Sequence, residues 1–164
     1  MVAGRYGGGV DLNLDQLKLA LNLHNVKRFQ THRMQQQKSV AEHSFRMGLI
    51  YTWLGGKELE AAFLHDCEES VTSDIPSPVK KHLQGLEYFE KMRPSFESTE
   101  EKRLAKLADK LELVLDLREQ LEDIGRLPRR LMEVYETEFE LAMDIAKELG
   151  KTKEVKQLLK EVVK

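Results

Sequence analysis

Ser98-Thr99-Glu100-Glu101 has the S-x-x-E form of a capping box, in which the Ser and Glu side chains satisfy the first free amides of a helix. The run Leu104-Ala105-Lys106-Leu107-Ala108-Asp109-Lys110-Leu111 then continues as one long helix to about Ile124, closed by Gly125. The same logic extends outward in both directions. Ser39-Val40-Ala41-Glu42 is a second capping box, predicting a helix to about Leu54 that Gly55 and Gly56 stop. Lys57 to Glu69 reads as a further helix, and Ser77-Pro78 opens another with proline at its first position. Pro128 starts a helix that Gly150 ends, and Thr152 caps a last short one. Near the start, Leu14, Leu17, Leu21 and Val26 fall on one side of a helix, with Lys18 and Asn22 on the other. Arg28 to Lys38 reads as a polar loop. No segment alternates apolar and polar residues over strand length, so the expected fold is all-α, a single bundle of about six or seven helices without internal repeat.

The 164 residues carry 26 Lys plus Arg against 28 Asp plus Glu, a formal charge of −2. A chain this long buries roughly two-thirds of the surface its unfolded form exposes, enough for a core without staples. The expected division is a loose glycine-rich tail over residues 1–11 and one domain over residues 12–164. The near-neutral balance argues against a nucleic-acid partner, which would call for a basic face. No apolar run reaches the roughly 18 residues of a membrane span, and the N-terminus lacks the order of a signal peptide. The single cysteine, Cys67, rules out an internal disulfide framework and a Cys-rich zinc module, and fits a reducing, cytoplasmic setting. Leu and Val on more than one face between Leu131 and Val163 suggest a homo-oligomer.

Four groups carry the chemistry: Glu42-His43-Ser44, His65-Asp66, Asp109, and the acidic run Glu68, Glu69 and Asp74. Two histidines and two aspartates suffice to hold one divalent transition metal such as Zn, Co, Mn, Fe or Ni and leave room for water or a phosphate oxygen. His65 and Asp66 interrupt the apolar run Ala61-Ala62-Phe63-Leu64, where an ionised carboxylate needs a partner. Plainer readings stand beside these. A lone His-Asp pair arises by chance in many proteins, Glu42 is fully explained by capping, and Asp109 is also explained by an ion pair with Arg103 or Lys110. Asp74 before Ile75-Pro76 fits turn chemistry, and His24, His32 and His82 read as surface imidazoles.

The joint order His43, His65-Asp66, Asp109, with Glu69 and the run Ser73-Asp74-Ile75-Pro76-Ser77-Pro78-Val79-Lys80, resembles the HD-domain metal phosphohydrolases, and among them the 5'-deoxynucleotidase (YfbR-type) branch. The resemblance covers about Arg28 to Leu115. It implies a divalent metal held by His43, His65, Asp66 and Asp109, phosphate held by Arg28, an acid/base role for Glu69, and contact of Asp74 with the sugar of a nucleotide substrate. Phe29 follows Arg28 where that branch carries a tryptophan, which bears on deoxyribose selection. The His43 to His65 interval is short, and the chain is nearer in size to phage HD enzymes that remove triphosphate from deoxynucleoside triphosphates, notably dATP. Lys80 and Lys81, with Arg33 and Lys38, are candidate further phosphate contacts, each also read as a solvated surface charge.

The expected activity is therefore hydrolysis of deoxynucleoside 5'-phosphates in nucleotide-pool control. A catalytically silent HD module that binds nucleotides as a sensor or scaffold is the alternative. The presence of Glu69 argues against it, because a binding module needs no acid/base. A purely helical interaction protein would require the ligand order to be coincidence, and an alarmone hydrolase would be expected to carry Asp where Ser70 stands.

Overall fold

The computed structural model describes residues 14–28, 38–75 and 94–161. Within them the chain forms seven α-helices: α1 (Leu14–Asn22), α2 (Val40–Trp53), α3 (Leu59–Phe63), α4 (Glu69–Thr72), α5 (Thr99–Ile124), α6 (Arg129–Glu148) and α7 (Thr152–Glu161). A 3-10 turn, Leu23–Asn25, follows α1. No strand forms among the described residues, and one isolated antiparallel bridge joins Lys27 to Ser39. The all-α expectation therefore holds, and no described helix is long and apolar enough to cross a membrane.

The caps form where the sequence places them. Ser39 Oγ accepts from the Glu42 amide at 3.2 Å, and Ser98 Oγ accepts from the Glu101 amide at 3.0 Å. Gly125 closes α5 at φ +69°. At the end of α2, Gly55 takes φ +96°, its amide reaching the Thr52 carbonyl while Gly56 reaches that of Tyr51. That crossed pair satisfies carbonyls the helix leaves open, and the left-handed turn suits glycine.

Helix α5 is the axis of the fold. Residues 111–117 are all buried, so this segment is enclosed on every side. It packs on α2 and α6, with α7 closing over α6. Met47, Ile50, Tyr51 and Leu54 of α2 meet Leu104, Leu107, Leu111 and Val114 of α5, joined by Ile145 of α6 and by Val155 and Leu159 of α7. A smaller cluster of Leu113, Leu117 and Leu131 continues the core between α5 and α6.

Three local expectations need correction. Lys57 to Glu69 is not one helix: α3 ends at Phe63 and α4 starts at Glu69. Between them, amides reach back three residues, Cys67 to Leu64 at 3.0 Å and Glu69 to Asp66 at 2.9 Å. The Ala62 carbonyl, which a continuing helix would offer to the amide of residue 66, instead accepts from His65 Nδ1 at 2.8 Å. Thr152 is the first residue of α7 and not its cap. On α1, Leu17 and Leu21 are exposed, whereas Leu23 and Val26 beyond the helix are buried against Val40. The helix predicted from Ser77-Pro78 lies outside the described residues.

Helix α3 lies tight against α2. A Cβ on Gly48 would stand 2.4 Å from the Phe63 ring, so only glycine lets the two helices approach this closely. This contact places the turn carrying His65 and Asp66 beside α2.

Candidate metal centre

Three local devices converge on one spot. The Ser39 cap starts α2 so that His43 falls on the face turned towards α5, where it is buried. The break after α3 turns His65 and Asp66 towards it. From α5, Asp109, Glu112, Asp116 and Glu119 recur at helical spacing and present one acidic stripe to α2. Backbone bonds from Val40 to Val26 (2.8 Å) and from Arg28 to Lys38 (3.0 Å) hold Arg28 beside the start of α2.

His43 Nε2 lies 3.2 Å from His65 Nε2. Asp66 Oδ2 is 3.4 Å from the first nitrogen and 3.1 Å from the second, and Asp109 Oδ1 is 3.4 Å from His43 Nε2. Donor atoms of His43, His65 and Asp109 all lie within 4.8 Å of one another. The other ring nitrogens are already committed. His43 Nδ1 donates to Glu112 Oε2 at 2.6 Å, and His65 Nδ1 donates to the Ala62 carbonyl at 2.8 Å. Both Nε2 atoms then face inward between two carboxylates, where on losing their protons they offer lone pairs to a cation. Two imidazoles and two carboxylates suit a borderline divalent ion, and a carboxylate or carbonyl behind each imidazole is the usual support of a metal-binding histidine.

The electrostatics agree. Burial and the Arg28 charge both work against a proton on His43, yet the acceptors Asp109, Asp66 and Glu112 raise its proton affinity well above the usual histidine range. His65 is also raised, with Asp66 outweighing the burial that opposes it. Burial alone would push the Asp66, Asp109 and Glu112 carboxyls upward. The two histidines hold Asp66 well below the usual range. His43 and Lys110 lower Asp109, and His43 with Arg28 and Arg46 lower Glu112. The group therefore stays ionised and wants positive charge.

A cleft of about 420 Å³ opens beside this cluster, with His65, Asp66, Phe96, Lys102, Lys106 and Asp109 among its lining residues. Its size is that of an ordinary small-molecule site. The four sequence-predicted metal residues, His43, His65, Asp66 and Asp109, are thus brought together. Arg28 joins them through Glu112, its Nη1 at 2.7 Å from Oε2, and the fields of Glu112, Asp109, Asp66 and Asp74 outweigh the burial that opposes its charge. Glu69 is buried at the start of α4, with its amide bonded to the Asp66 carbonyl, and Asp74 is half-buried after Ser73, which takes φ +63°. Neither Glu69 nor Asp74 lines the cleft among the described residues. Phe29, Lys80 and Lys81 lie outside the described residues, as does Arg33. Lys38 is held by Asp116 at 2.6 Å and Glu119 at 2.7 Å, so the structure gives it an ion-pair partner and not an open phosphate contact. Asp109 pairs with Lys110 at 3.4 Å, whereas Arg103 pairs with Glu148.

Sequence reasoning missed Glu112, Arg46, Asp116 and Glu119. Glu112 carried a readable signal, a carboxylate between Leu111 and Leu113-Val114-Leu115, the same interruption that singled out Asp66. The cleft lysines Lys102 and Lys106, one helical turn apart on α5, carried none, because exposed lysines on a helix are ordinary.

No functionally curated protein matches the sequence. The fold is similar to that of a cyanophage S-2L HD phosphohydrolase, DatZ, solved with dA and one catalytic Zn²⁺, at 20% identity over 85% of this chain and 96% of that one, with a TM-score of 0.63. It is also similar to a Pyrococcus horikoshii protein (21% identity, 92% and 98% covered, TM-score 0.64). A Listeria innocua HD-domain phosphohydrolase is a third such structure (20% identity, 90% and 85% covered, TM-score 0.59). At these identities the likeness establishes the HD-domain fold. The sequence itself matches the model of the YfbR-like 5'-deoxynucleotidases over residues 16–161, nearly the whole chain. With His65, Asp66 and Asp109 lining one cleft and His43 beside them, this chain belongs to the YfbR-like 5'-deoxynucleotidase family, a family of HD-domain nucleotide phosphohydrolases.

Proposed function

We propose that this protein hydrolyses deoxynucleoside 5'-phosphates with one divalent transition metal held by His43, His65, Asp66 and Asp109, and serves nucleotide-pool control. The observation that carries the reading is the pair of Nε2 atoms, 3.2 Å apart, each with its Nδ1 proton committed elsewhere and both flanked by Asp66. The metal is one of Zn, Co, Mn, Fe or Ni, and Zn²⁺ in the structurally similar DatZ supports that class. Bound there, it supplies Lewis-acid polarisation of a phosphate oxygen and a more acidic water.

The chain's own residues do the rest. Arg28 offers a planar, always charged fork to the phosphate, steadied by Glu112 through Nη1. Glu69, buried and tied by its amide to Asp66, moves a proton between the attacking water and the departing 5'-oxygen. Asp74 accepts a hydrogen bond from the sugar 3'-hydroxyl, Phe29 crowds the 2'-position, and Lys80 and Lys81 add positive charge for phosphate. A reducing cytoplasm suits Cys67, the single cysteine of the sequence, which is buried. Self-association into a homo-oligomer suits Phe45, Leu49 and Trp53, exposed at helical spacing along α2.

Incubating metal-loaded protein with matched deoxy- and ribonucleoside mono- and triphosphates, and identifying the product as orthophosphate or triphosphate, tests the reading. Preferred release from deoxynucleotides is expected. Metal-replete protein that binds nucleotides and hydrolyses none would instead make the chain a binding module.

A further inference from the structure

We infer that Glu112 is the positioning residue of the centre, a single carboxylate that sets His43 for the metal and Arg28 for the phosphate. The inference rests on the proposed metal site. The Glu112 side chain has 0% exposure, and a carboxylate so enclosed carries a desolvation cost that only its charged partners offset. Packing therefore does not explain a carboxylate here. Its Oε2 accepts from His43 Nδ1 at 2.6 Å and from Arg28 Nη1 at 2.7 Å, while Oε1 faces Arg46 Nε at 3.3 Å. Arg46 is fixed from behind by two hydrogen bonds to Glu119, at 2.6 and 2.9 Å.

An apolar residue cannot decide which imidazole nitrogen carries the proton. For His65 the Ala62 carbonyl of the same segment decides it, but His43 Nδ1 faces away from its own helix towards α5, and an acceptor has to come from there. Glu112 is that acceptor, and it keeps the His43 Nε2 lone pair aimed at His65 and the two aspartates. Because Arg28 shares the same oxygen, the guanidinium is held in fixed register with the imidazole. Metal affinity and phosphate affinity then depend on one side chain that touches neither ligand.

The test is Zn²⁺ titration of the chelator-stripped full-length protein against a chromophoric chelator, for the parent, Glu112→Gln, Glu112→Asp and Glu119→Gln. Glu112→Gln should weaken metal binding about 10- to 100-fold and, at saturating metal, raise KM for a deoxynucleoside monophosphate. Glu112→Asp keeps the charge with a shorter reach and should fall between it and the parent. Glu119→Gln removes a carboxylate from the same ladder without touching His43 or Arg28, and should bind metal like the parent even where its melting temperature drops. Parent-like affinity in folded Glu112→Gln, or an equal loss in Glu119→Gln, overturns the inference. Should Glu112→Gln fail to fold, parent-like affinity in Glu112→Asp does the same. A parent that takes up no metal defeats the functional reading itself, whereas a metal-binding parent with an unaffected Glu112→Gln defeats this inference alone.

Discussion

Stripped of metal, the protein should lose stability as pH rises through neutrality. His43 and His65 turn Nε2 atoms towards each other at 3.2 Å, so in the absence of a cation the two imidazoles titrate as a coupled pair. The folded-state proton affinity of His43 lies well above the ordinary value of 6.5, with Asp109, Asp66 and Glu112 outweighing burial and Arg28. Stability from that proton is fully present below the unfolded value and is lost as pH rises through the folded one. Between the two, release of one proton removes up to about 1.4 kcal/mol per pH unit. Against a typical total of roughly 5–15 kcal/mol, a step from pH 7 to 8 is then measurable. The lowered Asp66, Asp109 and Glu112 carboxyls act in the opposite sense, their stabilisation being lost only as pH falls through the acid range, so the windows do not overlap. Urea unfolding followed by circular dichroism between pH 6 and 9 in chelator reads the slope, and His43→Gln should flatten it. With saturating Zn²⁺ the dependence should reverse, because protons compete with metal for the same nitrogens. A chelated wild-type protein whose stability is level from pH 6.5 to 9 would refute the reasoning.

Other contacts set three further outcomes. Gly48→Ala gains about 1 kcal/mol of helix propensity but drives a methyl into the Phe63 ring, an overpacking cost of about 1–3 kcal/mol, so urea midpoints should fall and Phe63→Leu in the same chain should recover the loss. Tyr51→Phe removes a buried hydroxyl that donates to Glu101 and accepts the Glu58 amide at 3.1 Å, and should cost about 1–3 kcal/mol in the same assay. Glu69→Gln should retain metal and nucleotide while kcat falls by about 10² to 10⁴, whereas an unchanged kcat with raised KM would make Glu69 a binding residue.

The helices were legible because capping and termination are local chemistry. Ser39, Ser98, Gly55 and Gly125 act through hydrogen bonds and backbone angles a few residues away. The break between α3 and α4 was hidden because it depends on a side chain, His65 Nδ1, reaching the carbonyl of Ala62, and helical spacing of apolar residues does not register that. His43, His65, Asp66 and Asp109 could be chosen from the order of residue types and a family resemblance, since metal chemistry restricts the donors. The charged ladder of Arg28, Arg46, Glu112 and Glu119 was not foreseen. Its members are 84 residues apart between Arg28 and Glu112 and 73 apart between Arg46 and Glu119, and only the packing of α2 on α5 makes them neighbours. Exposure of Leu17 and Leu21 was hidden for a related reason: apolar spacing on α1 says which residues share a face, not what covers it.

Release of orthophosphate or triphosphate from deoxynucleoside 5'-phosphates should be followed in wild-type protein and in Asp109→Ala, first with chelator and then with Zn²⁺ or Co²⁺ restored. Wild-type hydrolysis should vanish on chelation and return with the metal, while Asp109→Ala stays at background throughout. Hydrolysis that survives chelation, or a fully active Asp109→Ala protein, would contradict a reaction run by a cation held among His43, His65, Asp66 and Asp109.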